Sequence, residues 1–105
     1  MNKHIKYMYD YEKIKPELPK KIQTLFDELR NFCLSLGNDV IEDVRMHRIV
    51  FCKSINFRWF ADIKPDNNTL LIKIQKNRKE SKIINSNYDI NEIKKIIRDA
   101  YEKIN

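Results

Sequence analysis

The chain of 105 residues has little glycine, alanine, cysteine or histidine: one Gly, two Ala, two Cys and two His. Too few cysteines and histidines are present for a disulfide-stapled secreted domain or for a zinc site built from these residue types. No apolar run approaches the ~20 residues of a transmembrane helix, and the N-terminal MNKHIKYMYDYEK lacks the apolar stretch of a secretory signal. These absences predict a cytoplasmic protein with no membrane partner, in which Cys33 and Cys52 are reduced.

Length and apolar content are sufficient for a single folded domain, because 42% of the residues are hydrophobic although 34% are charged. Lys and Arg number 21 against 15 Asp and Glu, and the resulting net charge of +6 favours polyanionic partners such as DNA or RNA. The chain also has 16 Ile, 15 Lys and 11 Asn, a bias that AT-rich coding sequence produces without selection for binding. Charge alone is therefore weak evidence for a nucleic-acid partner.

Residues 1–18 are predicted to form a polar and aromatic N-terminal arm, and residues 19–105 a single α+β domain. Tyr7, Tyr9 and Tyr11 alternate, which places their rings on one side of an extended segment. There they either stack on bases or pack back on the domain.

Two segments have the apolar periodicity of amphipathic helices. In residues 19–36 a single stripe is formed by Ile22, Leu25, Phe26, Leu29, Phe32, Cys33 and Leu36. Gly37, the only glycine, is expected to end this helix in a left-handed conformation. The second helix is predicted at residues 90–104, with Asp89 as its N-terminal cap.

Between the helices the apolar period changes to two, which predicts strands. DVIEDVRMHRIVFC is interpreted as one or two strands, residues 56–64 and 69–76 as a hairpin around a Pro65–Asn68 turn, and residues 76–88 as a basic connection. The apolar face of the hairpin is expected to carry Phe57, Trp59, Ala61 and Ile63, and the polar face Arg58, Phe60, Asp62 and Lys64. The predicted fold is an α+β antiparallel sheet of three to four strands, with N- and C-terminal helices packed on one face.

Three strings, LFDELRNFCLSLGNDVIEDV, FRWFADIKPDNNTLLIKI and YDINEIKKIIRDAYEKI, together resemble the domain-of-unknown-function family 5655. The matching positions are Phe26, Leu29, Leu36-Gly37, Asp39-Val40, Phe60-Ala61, Ile63, Pro65 and Ala100-Tyr101-Glu102. The resemblance covers about residues 10–104. It departs from the family at residues 76–88, which lack the Gly-rich, His-Trp-containing segment that members often have.

The resemblance implies an accessory module, because family members look like small stand-alone proteins or C-terminal appendages of larger ones, some of restriction-nuclease type. The family has no established activity. The resemblance therefore implies no catalytic residue, cofactor or metal for this chain.

The residues themselves offer few candidates for catalysis. Asp62-Ile63-Lys64 has the D-x-K spacing of some Mg²⁺-dependent nucleases, with Asp43 or Glu42 as the second acid. D-x-K arises readily by chance in a chain so rich in both residues, and a solvated cross-strand pair is the preferred interpretation of Asp62 and Lys64. His47 has no nucleophile nearby in the sequence. A metal-dependent nuclease is thus the remote alternative.

A composite basic surface is the leading candidate for binding. Its members are predicted to surround the end of the last strand or to project from the polar sheet face: Lys73, Lys76, Arg78, Lys79, Lys82, Arg45, Arg48, Arg58 and Phe60. Arginine and lysine contact phosphates, and an interleaved aromatic ring stacks on bases. The leading hypothesis is a non-catalytic accessory domain that binds DNA or RNA. The main alternative is a protein-interaction or oligomerisation module, such as an adaptor, an inhibitor or a homodimer, that uses a sheet edge or the aromatic arm.

Overall fold

A computed structural model describes residues 11–77 and 80–104, in which short helices lead into a five-stranded antiparallel sheet that is followed by a final helix. The elements are α1 (Tyr11–Ile14), a 3₁₀ turn (Lys15–Glu17), α2 (Lys20–Ser35), β1 (Val40–Val44), β2 (Ile49–Lys53), β3 (Trp59–Asp66), β4 (Thr69–Gln75), β5 (Ser81–Asn85) and α3 (Ile90–Lys103). The spatial order β1-β2-β3-β4-β5 is the order in the sequence. The predicted α+β class is confirmed, with one strand more than expected.

One face of the sheet is covered by helices, and it is called here the covered face. Helix α2 contacts β1 and β4, while α3 contacts β3, β4 and α2. The inward-facing residues form one core with the helical stripes: Phe26, Leu29, Ile49, Phe51, Ala61, Ile63, Ile72, Ile74, Ile84, Ile93 and Ile97. Phe32, which the helical periodicity also assigned to the core side, packs against this core while partly buried, and so does Tyr101 of α3.

A β-bulge reverses the predicted orientation of residues 59 and 60. Phe51 lies opposite Ala61 and Cys52 lies opposite Trp59, so Phe60 is the extra residue of β3. Phe60 is completely buried and packs on Tyr101 with 5.3 Å between ring centroids. The prediction that Phe60 lies on the polar face is therefore wrong, because simple alternation does not continue through a bulge.

The predicted start of β3 is also wrong, since Phe57 lies in the loop between β2 and β3. Its φ is 54°, and its side chain is 74% exposed. The backbone N–H of Phe57 donates to Lys53 O at 2.7 Å, and the Asn56 side chain accepts from the Arg58 N–H at 2.9 Å. These hydrogen bonds hold the loop in a conformation that a phenylalanine rarely adopts.

Two connections differ from the predicted ones. Pro65 belongs to β3 opposite Leu70, and the turn is confined to Asn67-Asn68, with Asn67 at φ 57°. Proline is tolerated there because the pairing of β2 with β3 ends at Ile63. Residues 76–88 were expected to be a connection, but they contain β5, which pairs with β4.

The helix ends agree with the predictions except at Gly37. Asp89 caps α3, since its carboxylate accepts from the Glu92 N–H at 3.3 Å. No glycine has a positive φ, so the left-handed role expected of Gly37 is wrong. A Cβ at Gly37 would lie 2.2 Å from the Tyr101 hydroxyl and 2.6 Å from Asp39 Oδ1, two atoms that hydrogen-bond each other. Gly37 is therefore needed because the Tyr101 hydroxyl and the Asp39 carboxylate approach its Cα too closely for any side chain.

Residues 11–18 are the described part of the predicted arm, and Tyr11 joins them to the domain. The Tyr11 ring packs edge-on against Phe26 at 5.3 Å, and its hydroxyl donates to Asp27. The Arg30 guanidinium lies 4.4 Å from the ring centroid and donates to Glu42 at 2.9 Å through Nη2. Tyr7 and Tyr9 lie outside the described residues. No helix in the described part of the chain is long and apolar enough to cross a membrane.

Candidate nucleic-acid interface

The second face of the sheet, called here the outer face, carries a mixture of cationic, apolar and aromatic side chains. It is formed by the strand positions that alternate with the core residues: Ile41, Asp43, Val50, Cys52, Trp59, Asp62, Lys64, Leu71, Lys73, Gln75, Ser81, Ile83 and Asn85. No helix of the described residues packs on this face. Trp59, Lys64 and Lys73 are partly exposed, and Ile83 is 61% exposed.

Trp59 is the aromatic residue of the outer face. The Lys73 ammonium lies 5.7 Å from its ring centroid, within the range of a cation–π contact. With the Gln75 amide oriented to satisfy both partners, the indole Nε1 donates to Gln75 at 3.2 Å, and Gln75 donates to the Trp59 carbonyl at 2.9 Å. Both contacts come from β4, so the neighbouring strand fixes the indole in place.

A shallow depression of about 210 Å³ lies on the outer face, and Lys73, which contacts this tryptophan, is part of its lining. Its lining consists of Arg48, Asp62, Lys64, Leu71, Lys73 and Ile83. Asp62 accepts from Arg48 at 3.0 Å, whereas Lys64 and Lys73 have no carboxylate partner among residues 11–77 and 80–104. Three cations and one anion give the depression a net charge of +2.

The remaining arginines of the predicted surface lie in the two connections that flank β2. Arg45, at the turn between β1 and β2, binds Asp43 at 2.9 Å, and Asp43 raises its pKa. Arg58 immediately precedes Trp59 in the chain and is partly exposed. Arg45 is therefore neutralised by its own hairpin, and Arg58 lies in the loop between β2 and β3, where its carbonyl accepts from the Lys53 N–H at 3.0 Å.

The predicted basic connection begins at the turn between β4 and β5 and continues into β5, which carries Lys82. The Lys76 N–H donates to Glu80 O at 2.9 Å, and Asn77 Oδ1 accepts from the Glu80 N–H at 3.0 Å. Lys76 and Lys82 are exposed. Because Gln75 contacts Trp59, this turn lies at the tryptophan end of the sheet. Arg78 and Lys79 lie outside the described residues.

Phe60 is removed from the candidate interface by its complete burial, and Trp59 takes its place. The sequence signal for Trp59 was present, since it adjoins Arg58 in a strand rich in aromatic residues. It was missed because the alternation was counted without a bulge.

The two acids that the nuclease alternative requires do not come together, although Asp62 and Lys64 line the same depression. Asp62 is bound by Arg48, and Asp43, bound by Arg45, lies two strands away, about 10 Å by strand spacing. No group of three His, Cys, Asp or Glu residues in the described ranges is arranged to hold a metal ion. Glu42, the other acid considered, is bound by Arg30 on the covered face.

Neither cysteine has the character of an activated nucleophile. Both are free, Cys33 buried and Cys52 half-buried. Burial raises the pKa of Cys52, and the Asp43 carboxylate raises it further. Burial likewise raises the pKa of Cys33. Thiols with raised pKa values stay protonated and react slowly.

Comparison with known proteins gave no relative: no family model, no curated protein and no solved structure matches this chain.

Proposed function

We propose that this chain is a non-catalytic accessory domain that binds single-stranded nucleic acid through the outer face of its sheet. One observation carries the proposal. An indole held by the neighbouring strand contacts Lys73, and Lys73 lines a depression with a net charge of +2 on a sheet face that no described helix covers.

The two features of this face suit the two parts of a nucleotide. Lys64 and Lys73 lack acidic partners in the described structure and are available to contact phosphates. The partly exposed Trp59 ring offers a stacking surface for a base, an interaction of about 1–3 kcal/mol per base. Bases are accessible for stacking in a single strand and are occupied in a duplex. The outer face is therefore expected to prefer single strands.

The accessory role rests on the resemblance to the domain-of-unknown-function family 5655, which stays a prediction. Phe26, Leu29, Phe60, Ala61 and Ile63, which carry much of that resemblance, are all core residues. They bear on the fold and not on a binding site. A role beside a nuclease of the restriction or defence type is proposed on this basis, and the two free cysteines suit a cytoplasmic location.

The test is a fluorescence-anisotropy titration of a labelled single strand of about 12 nucleotides and of the matching duplex, at ~50 mM and ~150 mM salt. The wild-type chain is expected to bind the single strand more tightly, with affinity that falls as salt rises. In Lys64→Gln/Lys73→Gln, the slope of log affinity against log salt should become shallower by about 1 to 1.5, because each phosphate contact on a single strand contributes about 0.7.

Lys20→Gln/Lys21→Gln is the matched control. It removes the same charge from exposed positions of α2, away from the sheet face, and is expected to leave the slope close to that of the wild type. Equal slopes for the two double variants would contradict the proposed surface.

A protein-interaction module is the second candidate, and the loop between β2 and β3 favours it. Ile55 and Phe57 are 81% and 74% exposed, and their backbone is held by hydrogen bonds at both ends. Exposed apolar side chains on an ordered loop are typical of a protein contact. If the wild-type chain shows no binding to either nucleic acid at ~50 mM salt, this candidate replaces the first.

A further inference from the structure

A second depression, called here the α3 pocket, lies on the opposite side of the β4–β5 hairpin from the outer face. Its volume is about 260 Å³, and it separates the turn end of the hairpin from the C-terminal half of α3. The apolar part of the lining is formed by Ile74, Ile96 and Ala100. This concave site shares no residue with the depression on the outer face.

Three lysines from separate parts of the fold line the α3 pocket. Lys76 follows β4, Lys82 lies on β5 opposite Ile74, and Lys103 is in the last turn of α3. None of the three forms an ion pair with a described residue. Like charges that converge on one cavity repel each other, and a bound anion would relieve that repulsion.

The other polar groups of the pocket lining indicate which further chemical groups such an anion would have. The Gln75 amide is engaged by Trp59, and Asn77 is engaged by Glu80 through hydrogen bonds of 2.8 and 3.0 Å. The ammonium groups are therefore the main donors. Asp99 supplies the one carboxylate of the lining, which is an acceptor for hydroxyl groups.

We infer that the α3 pocket binds the phosphate monoester of a sugar. Three lysines and one aspartate give the lining a net charge of +2, which matches the charge of about −1.5 to −2 on a phosphate monoester at neutral pH. Asp99 accepts from sugar hydroxyls, and Ile74, Ile96 and Ala100 pack against the carbon skeleton. The volume lies just below the roughly 300–1,000 Å³ of pockets for drug-sized ligands, so it suits a single sugar phosphate.

The same chemistry is found in a free sugar phosphate and in the terminal phosphate of a nucleic-acid strand. The pocket and the outer face meet at the β4–β5 hairpin, since Lys76 and Gln75 belong to the pocket lining and Gln75 also contacts Trp59. The inference does not depend on strand binding by the outer face, because the free sugar phosphate tests the pocket by itself.

Isothermal titration calorimetry with ribose 5-phosphate, inorganic phosphate and ribose tests the inference. Ribose 5-phosphate should bind saturably and more tightly than inorganic phosphate, and ribose should not bind. Lys82→Gln and Lys103→Gln should each weaken ribose 5-phosphate binding about fivefold, because each removes one charged donor from a partly solvated site. Lys95→Gln, an exposed change on α3 outside the pocket lining, is the matched control and should bind like the wild type.

Oligonucleotides with a 5′-phosphate, a 3′-phosphate or neither distinguish the two sources. A gain in affinity from a terminal phosphate that Lys82→Gln removes would assign the pocket to a strand end. Binding of ribose 5-phosphate without such a gain would assign it to a free sugar phosphate, and either result supports the inference. Absence of both effects, or equal weakening in Lys95→Gln, would overturn it.

The outer-face variant keeps the two proposals separable. Lys64→Gln/Lys73→Gln should retain wild-type affinity for ribose 5-phosphate, since neither residue lines the α3 pocket. Loss of strand binding in that variant with retained ribose 5-phosphate binding is thus the expected pattern. Retained strand binding in that variant would discard the outer face, whereas loss of ribose 5-phosphate binding in it would discard the pocket.

Discussion

The covered and outer faces of the sheet are formed by alternate residues of the same strands, yet they differ in how their side chains are satisfied. On the covered face the buried residues are almost all apolar, and Arg30 is matched by Glu42. On the outer face Arg48 has Asp62 as its partner, but Lys64 and Lys73 have no acid among the described residues. Folding explains the first arrangement. It does not require the unmatched lysines of the second, and this is the reason to look for a ligand there.

The largest expected difference in stability between the two faces is that between alanine variants of two adjacent isoleucines of β5. Ile84 is 3% exposed and faces the core, whereas Ile83 is 61% exposed on the outer face. Ile84→Ala should lower the free energy of unfolding by about 2–5 kcal/mol, because it leaves a cavity. Ile83→Ala should lower it by less than about 1 kcal/mol, since only strand propensity is lost.

Urea unfolding of the two variants measures this difference at a common pH. Similar losses in both would mean that β5 does not present one residue to the core and the other to solvent. The distinction between the two faces would then be wrong at this edge.

Substitution of Tyr11, on the covered side of the sheet, is expected to have a smaller effect on the free energy of unfolding. Burial and then the hydrogen bond to Asp27 raise the pKa of its hydroxyl. The folded chain therefore holds this proton above the unfolded pKa of about 10, and the stability that the proton confers is present below that pH and is lost above it. Tyr11→Phe should cost about 1 kcal/mol at neutral pH and should lose less further stability above about pH 10 than the wild type.

Tyr88→Phe is the control for Tyr11, because Tyr88 is 53% exposed. Measured by urea unfolding, the free energy of unfolding of Tyr88→Phe should fall between about pH 8 and pH 11 by the same amount as that of the wild type. Cys33, whose pKa is also raised by burial, adds a loss of the same sign in all three proteins. An alkaline loss in Tyr11→Phe as large as in the wild type would contradict the assigned role of Tyr11.

The helices and the fold class could be predicted because their signals are local. The single stripe from Ile22 to Leu36 and the Asp89 cap each define a helix without reference to the rest of the chain. The fifth strand was missed for the opposite reason. Its residues Ser81–Asn85 lie in a polar, Asn- and Ser-rich segment, and they become a strand by pairing with β4. Tertiary contacts determine such edge strands more than propensity does.

The candidate site was predicted only in part. The cations Arg48 and Lys73 do share the outer face, as the alternation indicated, but the aromatic residue is Trp59 and not Phe60. A bulge depends on how two strands pair, and no single residue of Arg58–Ala61 predicts it. The α3 pocket was not foreseen either, because its three lysines come from the β4–β5 hairpin and from α3.

The fluorescence of Trp59, the only tryptophan of the chain, tests the central claim most directly. Titration with an unlabelled single strand should change the Trp59 emission saturably, with the midpoint that anisotropy gives, and the midpoint should move to higher strand concentration as salt rises. The matching duplex should change the emission less. Binding detected by anisotropy without a change in Trp59 emission would place the strand away from the outer face and contradict the account.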